Sequence, residues 1–315
     1  MGIDCGSSLS AEYVLACTTL HRLLAYRRFV EENKRGRKPE LKEFWDVLTF
    51  DRRIQSTLIK YIGIFESKFR SVYSRLMGQE CGEFALYEKR NFRRPDAYDR
   101  SRVHYETDIN RQKRNRFIKR QLDNYDGKVP LGVAVEYLSL GTLSKFYTNT
   151  KSHAVTKECA ESFNVNKDKM ASWLKTLTDV RNCCAHFNPY VTRRQIPSTP
   201  LPMRGEEEMS RHPFYAALML QHLLYREDVE AMEDVNVHFA KKLEEDIVIH
   251  VGQFLRLYAF DERVADALWI PRRYRPKHVV LDTGAEGYEF YETRQVPVPD
   301  AMVRRMREAI EEKRS

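Results

Sequence analysis

One long amphipathic stretch, from Phe44 to Met77, constrains the fold more than any other part of the chain. Its apolar residues recur every three or four positions, which is the period of a helix with one buried face. The recurring residues are Ile54, Leu58, Tyr61, Phe65, Phe69, Val72 and Leu76. The glycines between positions 78 and 82 end the pattern. The stretch therefore predicts a long helix that faces a hydrophobic core.

Shorter segments with a helical period occupy much of the remaining sequence, and glycine is scarce, with 13 residues in 315. Both features favour a mostly α-helical chain over an all-β architecture rich in tight turns. We expect helices near 10–31, 130–150, 164–187, 212–227 and 235–260. The last forty residues are less regular, and they predict a small β-hairpin followed by a charged helix from Pro299 to Lys313.

The composition favours a cytoplasmic protein. No window approaches 18 apolar residues, so the sequence predicts no transmembrane helix and no membrane partner. The start, "MGIDCGSSLS", lacks the basic and apolar segments of a signal peptide, and Gly6 breaks the myristoylation pattern. None of the six cysteines forms a CxxC pair, and Cys183 and Cys184 are adjacent. This arrangement suits neither a zinc site nor a disulfide framework, so we expect reduced thiols and no metal.

Residues 89–120 are strongly basic, with twelve Lys and Arg side chains against four acidic ones. The segment "NRQKRNRFIKRQLDNY" predicts a basic helix whose apolar anchors are Phe117, Ile118 and Tyr125. Two interpretations remain open, a solvated helix face and a surface that binds the phosphates of RNA. The residues expected to contact RNA in the second case are Arg111, Lys113, Arg114, Arg116, Lys119 and Arg120.

The segment "LTDVRNCCAHFNPY" places polar residues at the end of an apolar helix. A step of about 100° per residue puts one apolar arc on its helical wheel. The arc contains Met170, Trp173, Leu177, Val180, Cys184 and Phe187. Arg181 falls at the edge of this arc, so we expect it to need a partner or a ligand. Asn182 and His186 are four positions apart and share a neighbouring face, and the helix should stop at Asn188, before Pro189.

The residues alone leave two interpretations of this helix end. Arginine and histidine near a helix C-terminus often only cap its carbonyl groups and offset its dipole. The same three polar side chains would also suit a catalytic set that acts on phosphate. The two cysteines inside the segment are then packing residues.

Arg181, four residues and His186 resemble the Arg-x(4–6)-His motif of the HEPN superfamily of helical ribonucleases, in which a polar residue such as Asn182 usually follows the arginine. Over residues 20–195 the chain more specifically resembles the Abi-like family of bacterial abortive-infection proteins, the AbiD and AbiF group. Three blocks carry that resemblance: "FDRRIQSTLIKYIGIFESKFR", "EYLSLGTLSKFY" and "WLKTLTDVRNCCAHFNP".

The resemblance implies an all-α, HEPN-like helical bundle and a metal-independent endoribonuclease without cofactors, which acts in anti-phage defence or as a toxin-like RNase. His186 would be the general acid or base, Arg181 would hold the scissile phosphate, and Asn182 would orient the histidine or the phosphate. In the HEPN group an acidic and a basic residue on an earlier helix often support the site, a pattern that Glu66 and Arg70 match. The alternative for that pair is an ordinary surface ion pair. Phe187 stands where relatives often carry a polar residue.

The resemblance also implies a homodimer with a composite active site, because HEPN enzymes commonly pair two motifs and this chain has one. Two other functions stay open. One is a non-cleaving RNA-binding protein held by a cognate small RNA, and the other is the partner subunit of a toxin–antitoxin pair. We expect a helical domain at 10–195 with its basic insertion near 89–120, a Pro-rich linker at 196–210, helices on the same core at 211–275, and a tail at 276–315.

Overall fold

A computed structural model describes residues 8–33, 38–196, 198–225, 239–258, 261–280 and 286–289. Within these ranges the chain is all-α apart from one pair of short strands, which confirms the predicted fold class. The helices are α1 (Ser8–Cys17), α2 (Leu20–Leu24), α3 (Arg27–Asn33), α4 (Leu41–Cys81), α5 (Pro95–Arg111), α6 (Arg116–Asn124), α7 (Leu131–Tyr137), α8 (Leu140–Asn149), α9 (His153–Glu161), α10 (Lys167–Ala185), α11 (Tyr215–Leu224), α12 (Phe239–Arg256) and α13 (Glu262–Ala267).

Helix α4 is the axis of the fold, and it confirms the long helix predicted from the apolar period. It runs for 41 residues and starts with a capping box between Glu40 and Glu43, which satisfies backbone N–H groups at its beginning. Of the seven recurring apolar residues, six are buried and Val72 is partly buried. The other helices pack around this apolar face, so α4 contributes to one continuous core.

Helices from both halves of the chain cover α4. Helices α7, α9 and α10 pack against it, and so do α11 and α12 from the later part of the sequence. Phe50 of α4 stacks on Phe254 of α12 with ring centroids 4.2 Å apart. Helices α11 and α12 therefore pack on the same core as α4.

Two predicted helical segments are each divided by a hydroxyl side chain. Thr19 accepts a hydrogen bond from the backbone N–H of Arg22 and begins α2, which separates α2 from α1. Helix α2 ends at Leu24, before a second break, so the 10–31 segment forms three helices. Ser139 begins α8 in the same way, with Thr142 as its N–H donor, and separates α8 from α7. Asp108 stabilises this second break, because its carboxylate accepts hydrogen bonds from the Ser139 N–H and the Thr142 hydroxyl.

The Pro-rich segment after α10 lies along that helix. The indole N–H of Trp173 donates to the carbonyl of Leu201 at 2.7 Å, and the hydroxyl of Thr176 donates to the carbonyl of Ser198 at 3.0 Å. These contacts carry the chain from the end of α10 to the start of α11.

The last described elements are two antiparallel strands, β1 (Lys277–Val280) and β2 (Glu286–Glu289), which form the predicted hairpin. The charged helix predicted over 299–313 lies outside the described residues. Among the helices described above, none is both long enough and apolar enough to cross a membrane.

Candidate active site

Arg181, Asn182 and His186 lie together on the solvent side of the last turn of α10, and all three are exposed. A guanidinium nitrogen of Arg181 lies 3.4 Å from the Asn182 side-chain oxygen. The backbone N–H of His186 donates to the Asn182 carbonyl at 3.3 Å, which keeps these two residues one helical turn apart on the same face. Each of the three side chains is therefore open to a ligand outside the protein.

The opposite face of α10 is buried, as the helical wheel predicts. Met170, Trp173, Leu177, Val180 and Cys184 have essentially no exposed surface. Arg181 is exposed, so this buried face does not desolvate its guanidinium, and the expected need for a partner or a ligand does not follow from burial. Its exposure leaves the guanidinium in water and free to pair with an anion.

Phe187 is the exception to the predicted apolar arc, because 41% of its surface is exposed. The helix ends at Ala185, and Phe187 adopts the left-handed backbone region with φ +49°. The N–H of Phe187 donates to the Cys184 carbonyl at 3.0 Å, and the N–H of Asn188 donates to the Cys183 carbonyl at 3.1 Å. These two bonds form a Schellman motif, which turns the chain away from the helix and directs the ring outward.

Asp51 of α4, which the sequence analysis did not single out, holds the segment after this helix end. Its buried carboxylate accepts hydrogen bonds from the backbone N–H groups of Tyr190, at 2.8 Å, and Val191, at 3.0 Å, and from the Tyr26 hydroxyl, at 2.6 Å. One turn further along α4, the amide nitrogen of Gln55 donates to the Asn188 carbonyl at 2.7 Å. The loop that follows His186 is thus attached to the central helix at three successive points.

The environment of Asp51 acts on its ionisation in two directions. Burial raises the pKa of this carboxyl group above its ordinary value, and the hydrogen bonds from Tyr26, Tyr190 and Val191 oppose the rise. Burial also raises the pKa of Tyr26, so this hydroxyl remains a donor. A sequence signal for this cluster did exist. Asp51 and Gln55 are four positions apart, on the same helical face as the apolar residues Leu58 and Ile62, so their polar side chains interrupt an apolar face.

Arg22 of α2 is a second neighbour that the sequence analysis missed. Its guanidinium donates to the backbone carbonyl of His186 at 3.5 Å. A cation at this position offsets the negative end of α10 and brings α2 beside the motif. The exposed side chain of Leu20 belongs to the same short helix.

Glu66 and Arg70 form a buried brace between α4 and the α7–α8 corner. The guanidinium of Arg70 donates to the Glu66 carboxylate at 2.6 Å and to the carbonyls of Val135, at 2.7 Å, and Leu138, at 2.9 Å. The ordinary surface-pair alternative is therefore wrong, since only 16% of the Arg70 side chain is exposed. Within the described residues, no hydrogen bond joins the pair to Arg181 or His186, so its predicted support of the site stays a prediction.

The brace reaches α10 only through packing. Gly141, which follows the α7–α8 corner, lies so close to α10 that an added Cβ would come within 3.1 Å of the Thr178 methyl group. Thr178 precedes Arg181 by one helical turn. The brace thus fixes the position at which α8 packs against α10, the helix that carries the motif.

Cys183 and Cys184 are packing residues, as predicted. Both are buried, and burial raises the pKa of both thiols above the ordinary value. A buried thiol with a raised pKa is a poor nucleophile. Across the described ranges, no group of three or more His, Cys, Asp or Glu side chains is arranged to hold a metal ion.

The basic stretch forms the end of α5, a turn, and α6. The six predicted RNA contacts are exposed. In the part of the chain that the structure describes, Arg111 alone among them pairs with a carboxylate, that of Asp108 at 3.6 Å. The expected anchors are only partly right, because Ile118 is buried whereas Phe117 and Tyr125 are 51% and 39% exposed. The break at Gln112–Asn115 shortens α6 and leaves these two rings outside the core.

Fold and site together define an all-helical protein with an exposed Arg-x4-His set at the end of a buried helix. A family model described as Abi-like protein matches residues 13–190, and because this is more than half of the 315 residues, the chain belongs to that family. The match confirms the resemblance to the Abi-like family and implies a role in abortive infection, a defence against phage. Searches of curated proteins and of solved structures found no match.

Proposed function

We propose that this protein is a metal-independent endoribonuclease that acts in abortive infection. The observation that carries the proposal is the joint exposure of Arg181, Asn182 and His186 at one helix end that is firmly attached to the core. Exposed polar groups on a rigid support are what a site needs to act on a large substrate. Family membership supports the biological setting.

In the proposed reaction, an RNA 2′-hydroxyl attacks the adjacent phosphate. The His186 imidazole removes the proton of the hydroxyl or donates one to the departing 5′-oxygen. The Arg181 guanidinium binds the phosphate oxygens and stabilises the negative charge that builds in the transition state. Asn182 orients the arginine, which its side-chain oxygen already contacts. The products are a 2′,3′-cyclic phosphate and a 5′-hydroxyl, and DNA resists because it lacks the nucleophile.

The exposed cations of α5 and α6 support RNA as the substrate class. The side chains concerned are Arg111, Lys113, Arg114, Arg116, Lys119 and Arg120. Because five of them have no carboxylate partner among the described residues, their charge is available to RNA phosphates. This surface favours RNA binding whether or not the chain cleaves its ligand.

We further propose that two copies assemble into a homodimer with a composite site. Each chain has one Arg-x4-His motif, and apolar side chains lie exposed beside it. Phe187 is 41% and Leu20 49% exposed, and Arg22 of the same helix as Leu20 contacts His186. An exposed apolar pair next to a half-complete site suits an interface with a second copy.

Light scattering should give twice the chain mass, and the double variant Leu20→Asp, Phe187→Asp should be monomeric and inactive. A monomeric, fully active wild type would overturn the dimer.

The cleavage test compares wild type with His186→Ala on single-stranded RNA in EDTA, with the 5′ ends of the products sequenced. His104→Ala is the matched control, since His104 is also an exposed histidine on a helix. We expect 5′-hydroxyl ends with wild type and the control and no cleavage with His186→Ala. RNA in which the 2′-oxygens are methylated should stay intact with all three proteins.

Two results would contradict the proposed ribonuclease activity and would favour another function. RNA binding without cleavage by wild type, under all of these conditions, would favour a non-cleaving protein held by a regulatory small RNA. Neither binding nor cleavage, together with a stable complex with a second protein, would favour a toxin–antitoxin partner subunit. Equal cleavage by wild type and His186→Ala would remove His186 from the mechanism.

A further inference from the structure

A groove of about 560 Å³ lies between α4 and α12, apart from Arg181, Asn182 and His186. One stripe of α4 forms its first wall, and residues of α12 form the second. The stripe follows the helical period over about 22 Å of α4. Its side chains are Trp45, Thr49, Arg52, Arg53, Ser56, Thr57 and Lys60, and those of α12 are Asp246 and His250. The volume falls within the usual range for small-molecule sites.

The groove carries positive charge that the described residues leave unneutralised. Asp246 is its one acidic residue, and Lys60 already pairs with it at 3.1 Å, while the Tyr61 hydroxyl donates to the same carboxylate at 2.9 Å. Arg52 and Arg53 have no carboxylate within 4 Å among the described residues, and Arg53 donates only to the neutral side chain of Gln253. Two neighbouring guanidinium groups therefore face the groove without a counter-ion.

One buried polar atom that lines the groove has no partner among the described residues. This atom is Nδ1 of His250. Because an unpaired buried polar atom is costly, a ligand or an ordered water at this point would stabilise the groove. Thr57 on the opposite wall is 6% exposed, and its hydroxyl makes no hydrogen bond within the described part of the chain. One ligand between the helices could therefore contact both His250 and Thr57.

The side chains of the groove suit a phosphate monoester whose organic group is apolar or aromatic. A pair of guanidinium groups matches the two charges of a phosphate dianion, and each planar guanidinium can donate two hydrogen bonds to phosphate oxygens. The hydroxyl of Ser56 lies one turn beyond the arginines and offers a further donor. Trp45, about two turns before them, provides a flat apolar surface for a ring. Inorganic phosphate alone would leave most of the volume empty.

We propose that the groove between α4 and α12 is a binding site for a small phosphate monoester that carries an apolar or aromatic group. The site is independent of the proposed ribonuclease centre, because none of its lining residues belongs to that centre. It has one structural link to it, since Arg52 directly follows Asp51, the anchor of the loop after His186.

Calorimetric titration tests the site with four probes: phenyl phosphate, AMP, inorganic phosphate, and a short RNA with a 5′-phosphate. We expect one phenyl phosphate or AMP molecule per chain, bound at least about tenfold more tightly than inorganic phosphate. The double variant Arg52→Gln, Arg53→Gln should weaken this binding by a further factor of about ten or more. Trp45→Leu should weaken the two organic phosphates and leave inorganic phosphate unchanged.

Controls separate this site from general charge effects and from the ribonuclease centre. Arg75→Gln removes an exposed arginine of the same helix outside the groove and should bind like wild type, as should His186→Ala. Circular dichroism establishes that each variant is folded. Failure of both organic phosphates to bind, or equal weakening by Arg75→Gln, would overturn the proposal. Binding of the RNA alone through Arg52 and Arg53 would assign the groove to nucleic acid and would equally overturn it.

Discussion

The carboxylate of Asp51 accepts the backbone N–H of Tyr190 at 2.8 Å, across 139 positions of sequence. This contact joins the central helix to the loop that follows the Arg181–His186 motif. A side chain with no role in the proposed chemistry thus holds the loop that follows the motif against the central helix.

Replacement of Asp51 by alanine should destabilise the protein strongly. Two backbone N–H groups and the Tyr26 hydroxyl would lose their buried acceptor, and we expect the free energy of unfolding to fall by roughly 3 kcal/mol. Urea denaturation measures the change. The control is Asp99→Ala, which removes an exposed partner of Lys89 and should cost less than about 1 kcal/mol. Similar losses for both variants would contradict an anchoring role.

Arg70→Ala tests the brace at the α7–α8 corner. The substitution leaves the Glu66 carboxylate and two backbone carbonyls without their donor, so the free energy of unfolding should fall by roughly 3 kcal/mol. Arg28→Ala removes an exposed arginine–glutamate pair of the same spacing and should cost about 0.5 kcal/mol or less. If Arg70→Ala instead abolished cleavage with no loss of stability, the pair would belong to the active site.

Phe187→Gly should stabilise the isolated chain. Glycine adopts the left-handed region without strain, and the exposed ring contributes little packing, so we expect a gain of about 0.5 to 1 kcal/mol. Denaturation in dilute protein, where a dimer dissociates, isolates this effect. Ala185→Gly, placed inside the last helical turn, should lose up to about 1 kcal/mol. A loss with Phe187→Gly in dilute protein would mean that the ring packs in the monomer.

The cations of α6 should govern the salt dependence of RNA binding. Substitution of Arg116, Lys119 and Arg120 by glutamine removes up to three phosphate contacts, so the slope of log K against log salt should become shallower by about 2. Filter binding at several salt concentrations measures the slope. The charge-matched control replaces the exposed Arg75, Lys151 and Lys157. Equal changes in the two triple variants would show that net charge alone governs binding.

His250 should make folding sensitive to mild acid. Burial lowers the pKa of its imidazole in the folded state. When the pH falls through about 6.5, the unfolded chain therefore binds a proton that the folded chain does not, and stability is lost. This contribution is fully present above that pH. His250→Phe should lose less stability than wild type between about pH 7.5 and about pH 5.5. Identical losses, measured by denaturation at both pH values, would contradict the lowered pKa.

The helical period was enough to predict α4 and the buried face of α10, because burial on one side of a helix leaves a direct record in the sequence. The helix breaks at Thr19 and Ser139 were harder to predict from the sequence. Both hydroxyls compete with helix continuation, and at Ser139 the outcome depends on Asp108, which lies 31 positions away.

The candidate site was predictable in its residues and less so in its setting. The motif spacing placed Asn182 and His186 on one face, as the structure has them. The outward turn of Phe187 comes from a backbone conformation that is rare for phenylalanine, so propensity gives no warning of it. Asp51 stands in the apolar row of α4, which signals a buried polar side chain, but the sequence does not name its partners. Arg22 comes from a distant segment, and a single sequence contains no signal for its contact with His186.

The stacking of Phe50 on Phe254 at 4.2 Å has a consequence for how this family is divided into parts. Residue 254 lies well beyond the family match, which stops at residue 190, yet its ring covers the helix at the centre of that match. A fragment that ended at the family boundary would lack Phe254 and would leave the ring of Phe50 without this contact. The unit that packs as one core is accordingly longer than the stretch by which the family is recognised.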